Sequence, residues 1–226
     1  MTRLDLLNQF GYGDANNVEQ YKQIVKYRSY YDMQPRTIKG LAEFRSEPEN
    51  NTHIINTLEK LGEELHDYVT KAKISNQTDF DTWHEKTCKW FVKEFNKSKK
   101  LIGYGKAQKI VNVSFKYILA LQGADKYWKN GKFKYCHMTL DRYTFNEGFY
   151  KKEIDDKNKA KKLSTMSWSK LEYQDYINIQ KNVRNFLSNV NKYGPYLKVN
   201  GEKSLSPFEA EFYIFEHYKN KINLKS

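Results

Sequence analysis

Lys100 to Phe145 reads KLIGYGKAQKIVNVSFKYILALQGADKYWKNGKFKYCHMTLDRYTF. Gly103 and Gly105 flank Tyr104, a local pattern that permits positive φ and close backbone approach, so a glycine-bearing turn is expected there. Ala107 to Leu121 then runs without a helix breaker, and Ile110, Val113, Tyr117 and Ala120 or Leu121 recur at helical spacing. After a loop the segment ends on a lone aspartate, Asp141, set among Met138, Leu140, Tyr143 and Phe145. The order is turn, long helix, loop and acid, and no alternating strand pattern interrupts it.

Helical spacing extends to both sides of this stretch. Val18 to Tyr30 is one expected helix. Asn51 to Lys73 is a stronger one, with Ile54, Ile55, Leu58, Leu61, Leu65 and Val69 on three- and four-residue steps and only Gly62 interrupting. Thr78 to Phe95 follows the polar break Ser75-Asn76-Gln77 and carries Phe80, Trp83, Cys88 or Thr87, Phe91 and Phe95 along one side. Trp168 to Val190 and Pro207 to Lys219 complete the set, the last with Ser206 as N-cap and Pro207 at the first helical position. The expected fold is therefore mainly α, one helical domain over residues 1–226. Between Phe149 and Ser167 the run KKEIDDKNKAKKLS reads as an exposed charged loop, a helix extension or a strand-contacting arm, with a solvated connector as the plain alternative.

Composition narrows the partners. The 226 residues include 39 basic and 27 acidic ones, a formal net charge of +12, which favours a polyanion and above all nucleic acid. Two cysteines, Cys88 and Cys136, are too few for a disulfide framework and suit a reducing compartment. The first residues, MTRLDLLNQFGYGD, have no apolar signal region, and no apolar run is long enough to span a bilayer. A cytoplasmic protein with no membrane partner is expected.

The charges of the central helix are placed unevenly. At 100° per residue Lys109 and Lys116 lie within about 20° of each other, with Lys106 roughly 60° away, so the three form a basic stripe. Lys116 reads as a solvated position on that stripe. Lys106 and Lys109 stand in the first turn, where the helix dipole disfavours a cation unless an anion is close, and a phosphate or Asp141 would serve. For Asp141 the plain reading is an N-cap for the residues after it, or a pair with Arg142.

The run Gly103-Tyr104-Gly105-Lys106-Ala107-Gln108-Lys109, followed by a helix and an apolar element ending in Asp141, resembles the helix-hairpin-helix DNA glycosylases. The spacing from Lys109 to Asp141, and the Gln-Lys pair opening the helix, resemble most the archaeal 8-oxoguanine glycosylase branch known as AGOG. The resemblance implies a helix-hairpin-helix glycosylase-like domain in which Lys109 is the nucleophile and Asp141 the carboxylate at the mouth of the base pocket. It implies that Gly103, Tyr104, Gly105, Lys106, Lys116 and Arg142 contact the DNA backbone. In the commoner register of the hairpin Lys106 becomes the nucleophile and Lys109 a phosphate contact. The hairpin here is Leu101-Ile102-Gly103-Tyr104-Gly105, where the superfamily more often has Leu-Pro-Gly-Val-Gly.

The implied chemistry is excision of a damaged or modified base, with or without strand scission by the lysine. A base reaches such a pocket only after leaving the stack, and Trp128, Tyr143, Phe145 and Trp168 are the aromatic candidates to receive it. No cofactor and no metal is expected, since His84-Glu85-Lys86-Thr87-Cys88 lacks the second histidine of the His-Glu-x-x-His zinc pattern and has no evident third ligand. Two other readings fit the composition. One is a non-catalytic nucleic-acid-binding module that uses the turn and basic stripe only to grip phosphates; the other is a defence or mobile-element protein.

Overall fold

The computed structural model describes residues 13–146, 149–150, 154, 166–188 and 205–223. Among these residues the chain is helical, with no strand; an isolated bridge joins Asp14 and Gln122. The mainly α expectation holds. The charged run 151–164 lies outside the described residues except for Ile154, as do residues 189–190 of the expected Trp168 to Val190 helix.

Helix α1 (Val18–Ile24) starts at Asn17, whose side chain accepts the amide of Glu19 at 2.9 Å. It runs into a π-helical turn, Val25–Ser29, and a final α turn, Tyr30–Asp32. The expected helix over 18–30 is thus helical throughout and ends two residues later, with a π turn inside it. Gln34 then adopts a left-handed conformation (φ 59°) before the 3₁₀ turn Pro35–Thr37, followed by α2 (Leu41–Ser46).

Helix α3 (Pro48–Thr70) opens with proline in its first turn and buries Ile54, Leu58, Leu61, Leu65 and Val69, the expected stripe. Ile55 sits at the edge of that stripe and is half-buried. Gly62 marks the crossing with α1: a β-carbon there would lie 2.7 Å from the Lys22 Cα, so the two backbones meet directly. Helix α4 (Gln77–Phe95) is capped by Asn76, which accepts the Asp79 amide. It buries Phe80, Cys88, Phe91 and Phe95 as expected, while His84 takes the inward position in place of Trp83. Trp83 lies on the flank, its indole donating to Glu64 at 2.9 Å.

Helix α5 (Tyr104–Leu119) runs through the middle of the molecule and is buried along nearly all its length. It packs on α4, on the π turn after α1, on the helix Tyr173–Leu187 and on a 3₁₀ turn at Trp168–Lys170. Short α6 (Asp125–Lys129) leads to a segment without regular structure, 136–140, and then to a π turn, Arg142–Asn146. Helices α7 (Tyr173–Leu187) and α8 (Pro207–Asn223) close the array. The Ser206 hydroxyl accepts the Glu209 amide while the Glu209 carboxylate accepts the Ser206 amide, a reciprocal cap that fixes where α8 begins. The buried apolar side chains of the longer helices and the segments between them form one contiguous cluster rich in Phe and Tyr.

Candidate active site

The first turn of α5 is set by glycine. Gly103 precedes it in an extended conformation, and Gly105 lies against the main chain of Trp168 and Ser169, where any β-carbon would collide. The Gly105 amide donates to the Leu171 carbonyl at 3.0 Å. This contact holds the Trp168 ring against α5, so that the ammonium groups of Lys109 and Lys106 lie 4.6 and 5.2 Å from its centroid. Tyr104 is buried, with its hydroxyl 3.2 Å from His84 Nδ1. The expectation that Tyr104 and Gly105 present a phosphate clamp on the surface is therefore corrected: both are occupied inside. Only Gly103 of the triplet is half-exposed, beside a shallow hollow of about 300 Å³ that also carries Lys89 and Lys100.

Two lysines of the same turn differ in what they face. Lys106 donates to the carbonyls of Met33 (2.8 Å) and Gln34 (3.3 Å) and to the Thr37 hydroxyl (2.7 Å). Its amine thus ties down the left-handed corner at Gln34 and is not available to a DNA phosphate, contrary to expectation. Burial, with the charge of Lys109, lowers its pKa to about 8. Lys109 faces Asp141: its Nζ lies 3.9 Å from Oδ2, and each side chain is 9% exposed. Burial lowers the Lys109 pKa more than the charges of Asp141 and Asp32 raise it.

Asp141 does two jobs at once. Its Oδ1 accepts the amides of Tyr143 (2.8 Å) and Thr144 (3.1 Å) and the Thr144 hydroxyl (3.2 Å), which caps the π turn as the plain reading expects. The capping bonds orient the carboxylate so that Oδ2 is the oxygen toward Lys109. Arg142 is exposed at the start of the same turn.

Lys109 and Asp141 open onto one cavity of about 660 Å³. Its aromatic wall comes from Tyr31, Tyr117, Tyr143, Phe212 and Phe215, and its rim from Gln34, Pro35 and Arg36. Tyr143 packs edge-on against Phe215. Of the aromatic candidates, Tyr143 lines the cavity and Trp168 backs the two amines. Phe145 and Trp128 do not reach it: Phe145 turns inward onto Tyr150, and Trp128 packs against Phe133 and Phe208.

Two further carboxylates line this cavity, and sequence reasoning missed both. Glu211 of α8, fully buried, accepts from Lys116 at 2.6 Å and from the Thr139 amide at 2.8 Å. Lys116 is thus not a solvated surface lysine. Burial alone would lower its pKa, but the charge and hydrogen bond of Glu211 outweigh that and raise it, so it stays a cation. Asp32 accepts from the Tyr117 hydroxyl at 2.6 Å. The signal for Glu211 was present as an acid on the inward stripe of α8 beside Phe208 and Phe212; Asp32 gave none, because the groups that share its cavity lie far away along the chain.

Behind the cavity runs a buried polar chain. The Gln108 amide bonds the Leu140 main chain and Asn112; Asn112 meets His84 and Tyr176; Tyr176 meets His137, and His137 meets Asp81 at 2.7 Å. Burial and the neighbouring His137 hold His84 well below the usual histidine pKa, and burial lowers His137 too. Burial would raise Asp81, but His137, Gln77 and Arg184 bring it down to about 2. Both cysteines are free and buried. No helix among the described residues is long and apolar enough to cross a membrane. No family model, no curated protein and no solved structure matches this chain.

Proposed function

We propose that this chain is a DNA N-glycosylase of the helix-hairpin-helix type that excises a damaged or modified base, with Lys109 as nucleophile and Asp141 as the carboxylate beside it. The observation that carries the reading is the meeting of the Lys109 amine and the Asp141 carboxylate, 3.9 Å apart, at one aromatic-walled cavity. A volume of about 660 Å³ is of the size that takes a small organic ligand, and a nucleobase with its sugar falls in that class.

The chemistry follows from charge and access. Loss of the base builds positive charge on the sugar, and Oδ2 of Asp141, held by the caps on Oδ1, stabilises that charge without having to reorient. The lowered pKa of Lys109 leaves more of its amine unprotonated near neutral pH than a surface lysine would have, as a nucleophile requires. Lys106 is the weaker nucleophile candidate, because its amine is bonded to Met33, Gln34 and Thr37. Phosphate contact would fall to Lys89, Lys100 and Gly103 at the helix entrance and to Arg36 and Arg142 near the cavity, within a net charge of +12.

Base release from a panel of duplexes carrying oxidised, deaminated or alkylated bases tests the reading. Release by the native chain, lost in Lys109→Gln and Asp141→Asn, supports it, and borohydride trapping of a protein–DNA adduct adds the lyase step. Salt-sensitive binding without release of any base, unchanged by Asp141→Asn, would leave the non-catalytic nucleic-acid-binding module in its place.

A further inference from the structure

Of the three carboxylates lining the cavity, two have both oxygens engaged. Asp141 uses Oδ1 for the π-turn cap and points Oδ2 at Lys109. Glu211 binds Lys116 with Oε1 and the Thr139 amide with Oε2. Asp32 differs. Its Oδ2 accepts the Tyr117 hydroxyl at 2.6 Å, while no group among the described residues donates to its Oδ1. Tyr117, whose pKa is raised by burial and by Asp32 itself, remains a phenol and a donor, so it fixes the orientation of the carboxylate. Asp32 belongs to the turn after α1, whereas Asp141 follows the 136–140 segment; two separate parts of the chain bring their carboxylates to the same cavity. Asp32 is also near enough to Lys109 for its charge to favour the ammonium form, second only to Asp141.

We propose that Asp32 is a further catalytic residue, the base that takes the sugar proton in a strand-scission step after Lys109 has displaced the damaged base. This rests on the glycosylase reading above. Once the Lys109 nitrogen has bonded to C1′ and the base has left with the glycosidic electron pair, the nitrogen gives up a proton, its lone pair forms the iminium to C1′ as the C1′–O4′ bond breaks, and O4′ takes up a proton. Asp32 then removes a proton from C2′, and the C–H pair forms the C1′–C2′ double bond as the iminium nitrogen becomes neutral. Expulsion of the 3′-phosphate breaks the C3′–O bond, forms the C2′–C3′ double bond and restores the iminium. Water hydrolyses that iminium and frees Lys109. Asp141 is poorly suited to this proton transfer, since its inward oxygen is against the amine and the other is held by three donors.

The test uses the full chain and a duplex with one preformed abasic site, so that the identity of the excised base does not enter. The native chain should both nick this duplex and be trapped on it by borohydride. Asp32→Asn should be trapped at least as well, because losing the Asp32 charge lowers the Lys109 pKa further, yet nick at least tenfold more slowly. Tyr117→Phe, which only releases the carboxylate, should show a smaller loss of nicking with trapping kept. General damage to the fold would lower trapping and nicking together, so the opposite movement of the two readouts is diagnostic. Nicking by Asp32→Asn at the native rate with normal trapping overturns the assignment and leaves the glycosylase reading standing. A native chain that releases a modified base but is never trapped also overturns the assignment. Failure to release any base and to form any adduct overturns both.

Discussion

Gln108 holds the main chain of Leu140 from both sides, its Nε2 donating to the Leu140 carbonyl at 2.8 Å and its Oε1 accepting the Leu140 amide at 3.2 Å. The neighbours of these two residues are Lys109 and Asp141. One amide side chain therefore sets the register between the helix that carries the amine and the segment that carries the carboxylate. Asn112 donates to the same Gln108 oxygen at 3.1 Å, which fixes the orientation of the clasp.

Replacing Gln108 with alanine leaves buried main-chain groups of Leu140 without partners, a loss of about 1–3 kcal/mol for each unsatisfied group. The 3.9 Å pair should loosen with it. A displacement of about 1 Å in a reacting group can lower a rate by roughly 100-fold. The expected outcome is a lower melting temperature and, on the proposed glycosylase reading, a single-turnover base-release rate depressed far beyond any change in DNA affinity. Gln108→Glu keeps the shape but not the donor to the Leu140 carbonyl, and should fall between.

The Lys116–Glu211 pair gives a prediction about stability alone. Glu211 is fully buried, so Lys116→Met strands a carboxylate in the interior, and breaking a buried pair in this way costs about 3–5 kcal/mol. Glu211→Leu combined with Lys116→Met removes both charges and should recover most of that loss. Denaturant unfolding of the two single variants and the double variant measures the coupling. Equal, additive losses would show that the pair does not act as a unit.

Acid should weaken the fold from the side of the polar chain behind the site. His84 has a folded pKa well below the unfolded value near 6.5, so the unfolded chain binds more protons as pH falls through that value, and stability drops. Asp81, depressed to about 2, contributes stability that is complete above its unfolded value of 3.8 and is lost as pH falls toward 2. Unfolding midpoints should thus decline from about pH 6.5 downward and more steeply below about pH 4. His84→Gln should flatten the upper part of that decline and leave the lower part in place.

The helices were legible because burial repeats at the helical period. The stripe Ile54, Leu58, Leu61, Leu65 and Val69 of α3, and the Ser206-Pro207 start of α8, needed only local pattern and capping chemistry. Lys109 and Asp141 were legible as a candidate pair through a resemblance and an unfavourable charge at a helix entrance. The inward turn of Tyr104 and Gly105 was not, because a glycine that admits a phosphate and a glycine that admits a neighbouring backbone look alike in one dimension. Lys116 and Lys106 were misread for a related reason: their partners, Glu211 and the Met33–Thr37 corner, lie far away along the chain.

The sequence by itself determined a mainly helical chain with excess positive charge and a lysine at the head of its central helix, since these depend on composition and on contacts three or four residues apart. Tertiary structure alone decided which lysine amine faces a carboxylate and which is tied to carbonyls. It also decided that Asp32 reaches the same cavity as Asp141. Hydrogen bonds and desolvation set those outcomes, and both depend on groups brought together only when the helices pack.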